Sequence, residues 1–241
     1  MNQNNIIKYI REGQTMKTAV YLFIILLFIS LNLYAKKKIS AEKKVKGKTI
    51  YKLPFYVFSH KSSISYFALS GYMGDVQNIK ILKIRDNYSF KTSLKVIYTP
   101  THKDDSLGWA GVFWQWPPNN WGRNEAGGYD LRKAKYLYFY AKGEKGDELI
   151  EFKVGGTQGT FGDSASATTG VINLTKKWKL YKIDLTKKDL RNIIAGFGFL
   201  IKEGLNPDGA VFYLNDIYYS NKKPEPPFFK GYLRLNKIKK N

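Results

Sequence analysis

The sequence predicts an all-β protein, a two-layer antiparallel β-sandwich, and three observations predict it. Aromatic residues make up 16% of the 241-residue chain, with 18 Tyr and 15 Phe, and many Tyr stand at alternate positions, as a strand's period of two requires. About ten short runs alternate in this way, with turn residues between them at the spacing of a sandwich. Helical periodicity is confined to one short piece, around Lys187–Asn192.

The elements follow in order. "YKLPFYVF" from Tyr51, "IKILKIR" from Ile79 and "SLKVIYT" from Ser93 open the domain. "WAGVFWQW" (109–116) sends Trp109, Gly111, Phe113 and Gln115 to one face and Ala110, Val112, Trp114 and Trp116 to the other. In "KYLYFYAK" (135–142), Leu137, Phe139 and Ala141 share one face and Tyr136, Tyr138 and Tyr140 the opposite one. "ELIEFKV" sets Ile150, Phe152 and Val154 against Leu149, Glu151 and Lys153. "KLYKIDL", "GFGFLIK" and "AVFYLNDIYY" complete the set. "GEKGD", "GGTQGTFGDSAS", "LTKKD" and "NPDG" are the turns between them. "KKPEPPFF" from Lys222 ends the domain, because consecutive prolines cannot donate to a ladder. No internal repeat is visible.

Before the domain, "MKTAVYLFIILLFISLNLYAKKK" begins at Met16 with a Lys, continues through about 15 apolar residues and reaches Ala35 before three Lys, the pattern of a secretory signal peptide. The apolar run is short for a membrane span, which needs roughly 20 residues; an uncleaved leader would be the one membrane attachment. The expected organisation is an upstream extension (1–15), a signal peptide (16–35), a basic linker (36–50), the sandwich (51–220) and a basic, proline-containing tail (221–241). The protein is expected to be exported, to the periplasm, the cell envelope or the medium. It has no Cys, which excludes disulfides and thiolate metal sites. The formal charge is +21, and more than half of it sits in the linker and the tail. Those stretches are Lys-rich and poor in the Arg forks that read phosphates and bases. They suit solvated segments, or loose attraction to an anionic envelope polymer, and not specific nucleic-acid recognition.

Four of the five Trp fall in "GWAGVFWQWPPNNWGRNEAGGYDL" (108–131). A pyranose presents an apolar face of C–H groups and an equator of hydroxyls. Binding it in water takes a flat apolar platform with planar polar groups at the rim. Trp114, Trp116 and Trp121 can supply the platform, and Gln115, Asn119, Asn120 and Arg123 the rim. Pro117-Pro118 stiffens the loop and lowers its ordering cost. Covering about 50–100 Å² of sugar per indole gives roughly 1–2.5 kcal/mol per ring, hence millimolar to micromolar affinity. Alternation leaves Trp114 and Trp116 open between core and platform. It places Trp109 and Trp178 in the core, and Trp121 in a loop among Asn and Gly. Tyr136, Tyr138 and Tyr140 can extend a platform across a concave sheet.

The ordered set "SGYMGD", "SLKVIYT", "GWAGVFWQWPPNNWG", "GGYDLRKAKYLYFYAKG", "EFKVGG", "WKLYKIDL", "AGFGFLI" and "VFYLNDIYY" resembles the galactose-binding-domain-like jelly roll of the carbohydrate-binding-module kind, over about residues 51–220. The resemblance implies an exported bacterial protein that binds a glycan or polysaccharide and requires no cofactor. It also implies a structural calcium between an early loop and the last strand, for which Asp75 and Asp216 are the matching residues. Catalysis is poorly supplied. Glu125, Asp130, Glu151, Asp163, Asp184 and Glu203 show no recognisable pair for glycoside hydrolysis, and His60 and His102 are the only imidazoles. The competing classes are an envelope protein that binds a protein partner through its aromatic face, and a polysaccharide hydrolase or lyase.

Overall fold

The computed structural model describes residues 50–59, 65–85, 92–102 and 104–224. The expected upstream extension, signal peptide, nearly all of the linker and most of the tail lie outside them, as does His60.

Eleven strands form two antiparallel sheets among these residues. In the first sheet the order is β3 (Ile79–Ile84), β4 (Ser93–Tyr98), β11 (Ala210–Ser220), β6 (Tyr136–Gly143) and β9 (Lys179–Asp184), and β1 (Phe55–Phe58) also pairs with β11. In the second it is β2 (Ala68–Gly74), β5 (Trp109–Gln115), β10 (Ala195–Lys202), β7 (Leu149–Gly155) and β8 (Ser166–Asn173). The chain passes repeatedly from one sheet to the other, so sequence neighbours such as β6 and β7 face each other across the core, Phe139 meeting Phe152 at 4.6 Å. This is a jelly-roll sandwich.

Alternation fixes which side chains meet. Phe197, Phe199 and Ile201 of β10 point inward with Trp114, Val112 and Ala110 of β5, and with Phe152 and Ile150 of β7. From the first sheet come Phe139, Leu137 and Ala141 of β6 and Phe212 and Leu214 of β11. The two layers touch through rings: Phe199–Phe212 at 5.2 Å and Phe139–Phe197 at 5.2 Å between centroids. Such pairs add about 0.5–1.5 kcal/mol each beyond burial. Gly198 leaves room for the Phe113 ring on the outer face, where a Cβ would collide with it.

The structure departs from the sequence reading in three places. Two strands were not anticipated, β2 and β8. Each pairs on one side only, with β5 and β7 respectively, and "ALSGYMG" and "SATTGVIN" hold Gly and small polar residues where the other strands hold large apolar ones. In β8 the ladder is also offset: Thr169 and Gly170 bulge opposite Phe152, whose N–H donates to the Thr169 hydroxyl at 3.1 Å. The piece at Lys187–Asn192 is not helical; Lys187 sits at φ 66° and Asp189 bonds Arg191 locally. Trp109 and Trp178 are half-buried outside the core cluster. Trp109 lies over Gly74 at a sheet edge, and Trp178 stands 6.4 Å from Tyr213 with Lys142 over its ring.

Candidate functional site

The tryptophan-rich stretch leaves β5 and crosses to β6 as a long loop, and hydrogen bonds hold its first half on the end of the second sheet. Trp116 N–H donates to the Ile194 carbonyl at 2.9 Å, and Gly128 N–H returns to the Trp116 carbonyl at 3.0 Å. Asn120 organises the turn between them. Its side-chain oxygen accepts from Gly122 N–H (3.1 Å) and Asn124 N–H (3.4 Å), while its amide donates to the Trp116 carbonyl (3.3 Å). Gln115, wholly buried, donates to the Asn120 carbonyl at 2.9 Å. The Ser70 hydroxyl accepts from Asn119 N–H and donates to Gln115 Oε1, tying the turn to β2. Gly122, at φ 80°, accepts from Phe161 N–H at 2.9 Å and lies so close to the Gln158 carbonyl that a Cβ could not fit. The β7–β8 connection therefore buttresses the loop. That connection is itself held by Asp163, whose carboxylate accepts from the N–H groups of Thr157, Ile194 and Ala195. Burial pushes the Asp163 carboxyl above the usual aspartate range, and the three amides oppose that shift only in part.

This scaffold shapes an open cleft of about 570 Å³ lined by Pro117, Pro118, Asn119, Asn120, Trp121, Arg123, Asn124 and Glu125. Trp121 is 39% exposed, so its indole borders water inside the cleft. Asn119, Arg123, Asn124 and Glu125 are exposed around it. Trp116 is 40% exposed and stacks on Tyr129, with centroids 5.9 Å apart and rings 19° from parallel. Tyr129 donates its hydroxyl to the Tyr66 carbonyl at 2.8 Å, and burial, with Tyr51 and Tyr66 close by, raises its phenol well above the ordinary tyrosine range.

The residues expected at the site divide into two groups. Trp121, Asn119 and Arg123 line the cleft with accessible surface. Trp116 is accessible but is not among the lining residues. Trp114 is a core residue, 3% exposed against Phe197 and Phe199, because β5 turns Ala110, Val112 and Trp114 inward together. Gln115 and Asn120 hold the loop instead of offering a rim. Their polar groups are spent on its backbone, although Asn120 still forms part of the cleft floor. Sequence reasoning missed Asn124 and Glu125 as lining residues and Ser70, Tyr129 and Phe161 as supports. The "GRNEAGG" that follows Trp121 carries a turn signal, but the partners from other segments carry none. Tyr138 and Tyr140 are each 5% exposed, so the tyrosines of β6 do not extend an indole platform; Tyr136 alone among them is half-buried.

The two residues matched to a structural calcium are held by different parts of the molecule. The Asp75 carboxylate accepts from Leu107 N–H (3.1 Å) and Gly108 N–H (3.0 Å), capping the loop before β5. Asp216 sits in the β11 bulge at φ 38° and accepts from the Ser59 hydroxyl at 3.0 Å. Among the described residues no three carboxylates or imidazoles converge on one point. This pair does not fit a hard cation that needs several oxygen ligands. Three of the other acids have local partners: Asp130 grips Arg132 in a fork, Glu151 accepts from Thr168 and Glu203 meets His102.

No family model matches the chain, and no curated protein matches it. The chain is similar in structure to carbohydrate-binding modules. One is the family 11 module of the cellulosomal cellulase Lic26A-Cel5E of Clostridium thermocellum, at 14% identity over 74% of this chain and 99% of that one, with a TM-score of 0.47. Another is the family 30 module of the cellulosomal cellulase Cel9D-Cel44B of Clostridium thermocellum, at 16% identity over 72% and 100%, with a TM-score of 0.49. The glycoside hydrolase domain of Endo-D from Streptococcus pneumoniae R6 is also similar, at 18% identity over 64% of this chain and 22% of that one, with a TM-score of 0.41.

Proposed function

We propose that this is an exported, non-catalytic protein that binds a glycan in the loop cleft at Trp121. The observation that carries the reading is the exposed indole set in a cleft whose rim is built of planar polar groups, Asn119, Arg123, Asn124 and Glu125. A sugar's apolar face suits the indole, its hydroxyls suit amide and guanidinium donors, and the scaffold under the loop reduces what must be ordered on binding. Glu125 is the one carboxylate among the lining residues. Glycoside hydrolysis needs two across the scissile bond, so the cleft favours binding over cleavage. Export is read from the segment 16–35, with its Lys start and apolar run. The test is a glycan array probed with the protein and with Trp121→Ala. Removing the indole should weaken the bound glycan by about 5- to 70-fold, the equivalent of roughly 1–2.5 kcal/mol of lost stacking. Undiminished binding by the variant, or no glycan bound by either protein, overturns the reading.

A further inference from the structure

A second cleft lies on the outer face of the other sheet, and its chemistry differs from that of the loop. It has a volume of about 560 Å³ and is lined by residues that include Tyr136, Tyr138, Leu180, Lys135, Lys182 and Lys223. Half-buried Tyr136 offers the accessible ring, and Tyr138, 5% exposed, backs it with centroids 5.6 Å apart. The Lys182 ammonium stands 5.2 Å from the centre of the Tyr136 ring. No carboxylate is among the residues lining this cleft. Asp184 lies opposite Tyr136 across the β6–β9 ladder, and its carboxylate accepts the Thr186 N–H at 2.8 Å.

The same pairing of lysine with ring recurs along the sheet. Lys142 stands 4.6 Å from the Tyr213 ring and 5.4 Å from that of Trp178, and Lys95 is 5.6 Å from Tyr213. From Tyr136 to Lys142 this surface runs about 20 Å along β6.

A neutral sugar stacking on Tyr136 would have to displace an ammonium from the electron-rich ring face, losing a cation–π contact. An acidic sugar offsets that loss: its carboxylate or sulfate pairs with Lys182, Lys135 or Lys223 while its C–H face covers the exposed part of the ring. Lysine suits this task as a point charge on a flexible stem, and the absence of an Arg fork from the lining weighs against base or phosphodiester readout.

We infer that this lysine-and-tyrosine cleft of β6 and β9 is a binding site for an acidic saccharide, separate from the loop cleft and independent of it. The experiment is calorimetric titration of the protein with an oligogalacturonate and with the same oligomer fully methyl-esterified, which keeps the rings and removes the charge. The acidic oligomer should bind at least about tenfold more tightly than the ester, and more weakly as salt rises. The exposed-lysine variant Lys135→Gln/Lys182→Gln should bind it about five- to tenfold more weakly, as expected for the loss of two partly screened charge contacts. Trp121→Ala should bind it normally. Equal affinity for acid and ester, no response to the lysine changes, loss of binding in Trp121→Ala, or binding to phosphatidylglycerol vesicles without binding to the acidic oligomer would each overturn the inference.

Discussion

Replacing Asn120 by alanine tests whether the loop cleft is preformed. The side chain is 4% exposed, and its oxygen is the acceptor for the buried N–H of Gly122. In Asn120→Ala that donor loses its partner, at a cost of about 1–3 kcal/mol. Two other consequences are smaller. The Trp116 carbonyl keeps the bond from Gly128 N–H, and the exposed Asn124 can turn its N–H to water. For a domain of this size each kcal/mol shifts the melting temperature by roughly 2–4 °C, so the midpoint should fall by about 2–12 °C. Asn120→Asp retains the acceptor and should recover part of the loss. Calorimetric melting measures both variants. Acrylamide quenching of Trp121 should rise in the alanine variant as the turn loosens, and glycan affinity should fall by about tenfold because the loop must be ordered on binding. If both variants melt with the parent protein, the buried amide does not hold the turn and the account of the cleft as a rigid platform is wrong.

Two further outcomes follow from the same geometry. Trp114→Ala removes a core ring lying 5.5 Å from Phe197 and should lower the unfolding free energy by about 3–5 kcal/mol in urea titrations, whereas the exposed Trp121→Ala should change it by less than about 1 kcal/mol. Asp163 gives a pH dependence: its folded carboxyl titrates above the unfolded one, chiefly through burial. The cost of ionising it is therefore absent below about pH 4, where both states are protonated, and grows as pH rises to its raised folded value. Asp163→Asn should abolish that contribution to the stability–pH profile, and a variant with the parent profile would remove Asp163 as its source.

The central strands were legible from the sequence because each has a neighbour on both sides and one face in the core. The alternation of Leu137, Phe139 and Ala141, or of Phe197, Phe199 and Ile201, is a direct imprint of that environment. β2 and β8 lack it: "ALSGYMG" and "SATTGVIN" set Gly, Ser and Thr where those strands carry large apolar side chains, whereas β3 and β9, edge strands too, keep apolar residues at alternate positions. At the site, the sequence marks Trp121 as a loop residue through its Asn and Gly neighbours. It does not show that Gln115 and Asn120 are buried, because what buries them is a turn folded back on its own strand and tied to the distant Ser70. A planar polar side chain reads the same whether it faces a ligand or a backbone amide. Only the partner's position distinguishes the two, and that is a property of the fold.

The bulge at Gly170 bears on how the molecule behaves among copies of itself. β8 ends its sheet with eight residues, none of them charged, and pairs with β7 alone among the described strands. Such a margin would template another strand if it were straight. The two residues set opposite one, with Gly170 at φ 63°, kink it out of line, and this protection is steric. It should persist in concentrated salt, where the mutual repulsion of so cationic a chain is screened away.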